Sequence, residues 1–140
     1  MFVKPKLWTK EYVIVSLVNF LTVLNFFMLM TAVAGYSMNK FHSSPGEAGF
    51  IVSIFVIGAI VARLFTGKWI ARVGYKRMLV IGVIACVAAT LLYFKVTNVL
   101  FLLVVRLCHG AAFGMTATSA ATIIADIVPG ERRGEGIGYH

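Results

Sequence analysis

The chain has 140 residues, of which 60% are hydrophobic and 13% charged, and its formal net charge is +8. A soluble domain averages roughly 25% charged residues, and one core of this size cannot hide so much apolar surface, so an ordinary soluble fold is excluded. The cations stand in short clusters between long uncharged runs, which argues against a nucleic-acid partner and for a lipid bilayer.

The first uncharged run extends from Tyr12 to Asn39. About 20 mainly apolar helical residues cross the hydrocarbon, so the run predicts a first transmembrane helix over 12–37. It is too long for the apolar part of a signal peptide and lacks a small-residue cleavage site, so the helix is read as retained. Asn19, Thr22 and Asn25 fall within an arc of about 120° on it. Amides in lipid need partners, and these either bind substrate or join helices. The helix has no interior acid, since Glu11 lies at its edge.

A second helix is expected over 46–70. "SSPGE" places Ser44 at the N-cap, Pro45 at the first helical position and Glu47 three residues after the cap, which is a capping box. The segment 67–77, "GKWIARVGYKR", is expected to be a loop carrying Lys68, Arg72, Lys76 and Arg77 and no acid. Gly67 would let the second helix lie against a neighbour, and Gly74 would supply the positive φ of a tight reversal. A third helix is expected over 77–95. Small residues four apart, at Gly58 and Ala62, Ala85 and Ala89, and Gly110 and Gly114, predict close helix packing.

The fourth helix is expected over 98–127. Arg106 is the only charge between Val96 and Ala125, and a charge inside a membrane is costly and usually faces a cavity or a partner. At about 100° per residue, Arg106, His109, Gly110, Phe113 and Ala117 share one face, which is expected to line a central cavity. The alternative is an arginine that only bonds backbone carbonyls between helices. His109 either titrates near neutral pH or serves as a neutral hydrogen-bonding group. Pro129 and Gly130 end the helix. Asp126 lies about 160° around from Arg106, near the loop, where Arg63, Arg72 or Lys76 could reach it or where water alone could bond it.

Cys86 and Cys108 sit inside predicted helices, and neither they nor His42, His109 and His140 have metal-ligand spacing. No metal or other cofactor is expected. Short loops on the cytoplasmic side of a membrane collect Lys and Arg. Lys4, Lys6 and Lys10, then Lys68, Arg72, Lys76 and Arg77, then Arg132 and Arg133 fall on one side of four alternating spans, against Lys40 and Lys95 on the other. The N terminus, the 67–77 segment and the C-terminal end are therefore expected in the cytoplasm.

The order of residues in "GKWIARVGYKR" resembles the loop signature of the major facilitator superfamily of secondary transporters. Gly67, Trp69, Ile70, Arg72, Gly74, Lys76 and Arg77 fit its places or replace them conservatively. Ala71 stands where that family usually has Asp, and Tyr75 where Arg is common. "LLVVRLCHGAAFG" resembles the family's fourth-helix signature at Arg106 and Gly110, with His109 in place of Gln. "AGFIVSIFVIGAIVAR" and "IVPGERRGEGIGYH" are similar to its second helix and to its link into a fifth.

The resemblance covers essentially the whole chain. It implies four helices of a six-helix N-terminal half, in a protein of about twelve helices with its substrate site between the halves. Such a piece would not transport without the remaining helices. Arg106 would serve proton transfer or substrate binding. Gly67, Arg72, Gly74, Lys76, Arg77 and Asp126 would belong to a latch between the halves, weaker here because position 71 lacks its acid. The implied function is proton-coupled export of a small organic molecule through the cell membrane, since the glycine-rich fourth helix and the loop look like the drug-export branch. Uptake of a sugar or other metabolite is the alternative.

Three other classes fit less well. A dimeric four-helix exporter of the small multidrug type needs a Glu inside its first helix. A membrane enzyme needs a nucleophile–base pair, a phosphate loop or a metal site. Against a non-transporting four-helix membrane interaction protein, the remaining alternative, stand only the interior Arg63 and Arg106, which are costly to keep in a membrane.

Overall fold

The computed structural model describes residues 6–139, and Lys4 and His140 lie outside the described residues. Four long helices, α1 (Lys10–Phe41), α2 (Pro45–Val73), α3 (Tyr75–Leu92) and α4 (Val99–Ile127), are followed by the short α5 (Arg133–Gly138). Short 3-10 turns occupy Tyr93–Lys95 and Gly130–Arg132, and no strand occurs among the described residues. The fold is all-α, as expected, and each long helix is long and apolar enough to cross a membrane. The least extended of them, α3 with its 3-10 turn, reaches roughly 30 Å at 1.5 Å per residue, the thickness of the hydrocarbon core.

Local chemistry explains the helix ends. Thr9 caps α1 by accepting from the Tyr12 amide at 3.2 Å, and α1 stops at His42, which takes the left-handed conformation with φ 52°. The capping box of α2 forms as expected: the Ser44 hydroxyl accepts from the Glu47 amide, and the Glu47 carboxylate accepts from the Ser44 amide at 2.7 Å. Asn98 caps α4 by accepting from the Phe101 amide at 2.8 Å.

The expected 67–77 loop is corrected. Helix α2 continues to Val73 and α3 begins at Tyr75, so the reversal is made at Gly74 alone, with φ +90°. A side chain is strained at that φ, and glycine is not. Among the described residues nothing packs at Gly67: it is exposed, and a Cβ there would meet nothing within 4 Å.

Helix α4 is the hub, with its most extensive contact to α2, then α3, then α1. The α2–α4 seam is close because it is lined by small residues. A Cβ added at Gly110 would run into the Phe55 carbonyl, one at Gly114 into that of Ala59, and one at Gly58 into that of Leu107. Helix α3 meets α4 through Gly82, which backs onto Thr116. Helix α1 is only lightly covered, and Leu17, Phe20, Leu21, Leu24, Phe27 and Met28 are exposed along it.

Two apolar clusters close the ends of the bundle. Leu7, Tyr12, Val15, Ala120, Ile123, Ile124 and Val128 form one, and Val33, Ile51, Val96, Leu102 and Val105 the other. At the first end the Tyr12 hydroxyl donates to the Gly136 carbonyl at 2.8 Å and Lys76 pairs with Glu11 at 3.1 Å. Beyond the spans, Arg132 forks onto Glu135 at 2.7 Å, and that carboxylate holds the guanidinium above its ordinary pKa. At the opposite end Lys40 donates to the Tyr36 hydroxyl at 2.6 Å and the Val96 carbonyl at 3.1 Å. The first end therefore gathers the described cations that flank the start of α1, the α2–α3 reversal and the end of α4, while Lys40 stands at the other.

Candidate functional site

Arg106 is fully buried on α4, next to Val105 and one turn from Leu102. Its Nε donates to the Ile51 carbonyl at 3.4 Å and its Nη2 to the Val52 carbonyl at 3.1 Å. These carbonyls belong to α2, and a carbonyl that serves its own helix keeps a second lone pair for another donor. The guanidinium lies over the Phe55 ring at 4.8 Å from its centroid, close enough for a cation–π attraction. The Nη1 atom is buried and has no hydrogen-bond partner among the described residues.

His109 follows about one turn later and is 2% exposed. Its Nδ1 faces the Tyr93 hydroxyl at 3.3 Å, with the donor set by the imidazole tautomer. Its ring stands edge-on to Phe55, with centroids 5.3 Å apart. Phe113 packs 5.4 Å from Phe55 and 5.5 Å from Phe26, which brings α1 into the same aromatic floor. A cation and an imidazole thus share one buried platform centred on Phe55. Tyr93 stands within electrostatic reach of Arg106.

The structure brings Arg106, His109 and Phe113 together, but the expected orientation of their face is corrected. At Arg106 and Gly110 the face packs against the α2 backbone instead of opening into a cavity. Gly110 is the reason: without a side chain it lets the Phe55 backbone approach, and the same approach brings the Ile51 and Val52 carbonyls within reach of the guanidinium. Asn19 is half-buried on α1. Asn25 lines a groove of about 310 Å3 between α1 and α3 with Val18, Thr22, Cys86 and Thr90, and neither Arg106 nor His109 borders it. Asn25 therefore stands apart from the Arg106 platform.

The reversal between α2 and α3 also differs in its pairings. Asp126 accepts from the Tyr75 hydroxyl at 3.0 Å and not from Arg63, Arg72 or Lys76. Because Gly74 is the whole reversal, Tyr75 opens α3 directly against the last turns of α4. Lys76, about 100° further round, reaches Glu11 instead. Arg72 and Arg77 are exposed at the same end. Arg63 borders a shallow groove of about 580 Å3 with Ala117, Thr118, Ala121, Thr122 and Ala125 of α4.

Sequence reasoning missed Tyr93, Phe55 and Phe26 as members of the platform, and Gly82 as a contact point. Gly82 carried a usable signal, since Gly82 and Cys86 are small residues four apart. Tyr93 carried a weaker one: the turn at 96–98 is short, so an aromatic just before it must lie beside the first turns of α4. Nothing in the sequence distinguished Phe55 from its apolar neighbours.

The comparisons with known proteins agree with this architecture. The chain matches the Major Facilitator Superfamily over residues 15–140. The chain belongs to this family. It is 31% identical over 104 residues to Multidrug resistance protein 2 of Bacillus subtilis, an overlap that covers 73% of this chain and 26% of that protein. It is 31% identical over 101 residues to Monosaccharide-sensing protein 3 of Arabidopsis thaliana, covering 71% and 14% of the two chains. It is 28% identical over 102 residues to the Galactose-proton symporter of Escherichia coli, covering 73% and 22%. The matches to these three relatives span 14% to 26% of their lengths. No solved structure matches the chain. Family membership and four membrane-length apolar helices make this a multi-pass membrane protein.

Proposed function

We propose that these helices belong to a secondary active transporter of the cell membrane, one that exports a small organic molecule in exchange for protons. The observation that carries the reading is the buried Arg106 on α4, set with His109 on an aromatic floor inside a membrane span. A buried guanidinium without an acidic partner is costly in lipid, and a transport site is a reason to keep one. Arg106 and His109 serve cargo or proton there and Phe113 offers apolar contact, while Asn25, in the separate groove between α1 and α3, and Asn19 offer polar groups of α1 to the cargo's path. The Gly74 reversal, with Arg72, Lys76, Arg77 and the Tyr75–Asp126 bond, serves as the hinge-side latch. The basic end of the bundle faces the cytoplasm, where short loops collect cations. The chain works only with the remaining helices of the same protein.

Uptake of a sugar or other metabolite is the second reading, favoured by the similarity to the Galactose-proton symporter. The likeness to Multidrug resistance protein 2 favours export, while α1 lacks the interior acid that many proton-coupled drug exporters of this family carry there. Transport separates the two. The complete protein carrying this sequence is reconstituted in lipid vesicles, a pH gradient is imposed, and a panel of lipophilic dyes, hexoses and small carboxylic acids is offered. Gradient-driven movement of a non-sugar solute against its own gradient supports export. Gradient-driven hexose uptake supports the second reading, and no gradient-driven flux of any solute overturns both.

A further inference from the structure

We propose that the groove between α2 and α4 at the basic end of the bundle is an entry site for an organic anion, with Arg63 on its wall and Arg133 at its mouth. The site takes its purpose from the transporter reading and adds the charge class of the solute, and it does not involve Arg106. Arg63 precedes the Gly74 reversal by eleven residues, about 16 Å along the helix at 1.5 Å per residue, which places it well inside the span. A charge at that depth usually faces a water-filled cavity or a partner. Arg63 is exposed and borders the groove, and it has neither a hydrogen bond nor an ion pair among the described residues.

The groove encloses about 580 Å3, within the range of small-molecule sites. Its α4 wall is Ala117, Thr118, Ala121, Thr122 and Ala125, whereas α2 beside Arg63 exposes Ile57, Ile60, Val61 and Leu64. Large apolar side chains suit acyl chains, and a wall of alanine and threonine beside a cation suits a polar solute. The Thr118 and Thr122 hydroxyls donate to the Gly114 and Thr118 carbonyls at 2.8 Å. Each can turn to a charged acceptor, whose hydrogen bond is roughly twice as strong. At the Ala125 end, Arg133 donates from Nη2 to the Ala125 carbonyl at 3.4 Å, which sets a second guanidinium beside the mouth. Among the described residues no acid lines the groove. Asp126, next after Ala125, accepts from Tyr75, while Glu11 pairs with Lys76 and Glu135 with Arg132. Cations along a low-dielectric groove without a counter-charge concentrate anions there. The planar fork of Arg63 fits the oxygens of a carboxylate, sulfonate or phosphate group.

The test uses the complete protein in phosphatidylcholine nanodiscs and follows para-fluorobenzenesulfonate by fluorine NMR, with para-fluorobenzyl alcohol and para-fluorobenzylamine as controls. The sulfonate is expected to bind more tightly than either control. Its affinity is expected to fall at least about tenfold in Arg63→Gln, severalfold in Arg133→Gln, and less in Arg63→Lys than in Arg63→Gln. If Arg63→Gln does not fold, Ala121→Leu decides in its place: it fills the groove without touching either arginine, and is expected to weaken binding severalfold. Sulfonate affinity equal to wild type in whichever of these two variants folds overturns the proposal. Phosphatidylglycerol retained on purification from mixed micelles identifies the competing source. If Arg63→Gln loses that lipid while its sulfonate affinity is unchanged, the groove is a headgroup site and the solute assignment is wrong. Sulfonate binding without any gradient-driven flux keeps this site and removes the transporter reading, whereas flux with no Arg63-dependent binding removes this site alone.

Discussion

Tyr75 shows how one side chain can replace a charge pair. It stands where a cation is common in the resembling loop signature, and its hydroxyl makes the contact with Asp126 at 3.0 Å. A phenol donates one hydrogen bond and brings no positive charge, so Asp126 is held but not neutralised. If the two act as a pair, removing either breaks the same bond. Tyr75→Phe and Asp126→Asn are expected to shift the unfolding temperature in detergent by similar amounts, and the double variant to shift it no further than the larger single effect. Additive shifts would mean that the 3.0 Å contact does not couple the two.

At the scale of the helix, the α2–α4 seam decides where everything else can stand. Spacing revealed small pairs on α2 and α4, but periodicity fixes only which residues share a face, not which neighbour covers it. That is why Arg106, His109, Gly110 and Phe113 were legible as one face while their meeting with α2 was not. Caps and reversals were more legible, at Ser44, Glu47 and Gly74, because their causes lie within a few residues. The Tyr75–Asp126 and Lys76–Glu11 pairings were not, since their partners are 51 and 65 residues apart in sequence. Two glycines give a direct check of the seam. Gly110→Ala places a Cβ against the Phe55 carbonyl, and is expected to lower stability by about 1–3 kcal/mol, the usual cost of overpacking. Gly67→Ala meets open space on an exposed helix turn, and is expected to be neutral or to raise stability by up to about 1 kcal/mol. Thermal unfolding in detergent reads both, and equal effects at the two positions would contradict the seam.

For the whole molecule, the cation split predicts topology. The Lys76–Glu11, Tyr75–Asp126 and Tyr12–Gly136 bonds gather one end, and the Lys40–Val96 bond marks the other. With Cys86 and Cys108 replaced, a cysteine at position 42 is expected to react with an impermeant thiol reagent added outside intact cells, and one at position 76 to be spared. The reverse pattern would invert the bundle. The claim on which the functional account turns is that Arg106 takes part in transport and is more than a strut between α2 and α4. An arginine at a helix centre costs about 2.5–3.5 kcal/mol on insertion scales, so Arg106→Ala should insert at normal levels. The decisive measurement is gradient-driven flux in vesicles containing equal amounts of complete wild-type and Arg106→Ala protein. The account predicts that flux falls at least about tenfold at unchanged insertion, whereas flux equal to wild type would contradict it and leave Arg106 a structural cation.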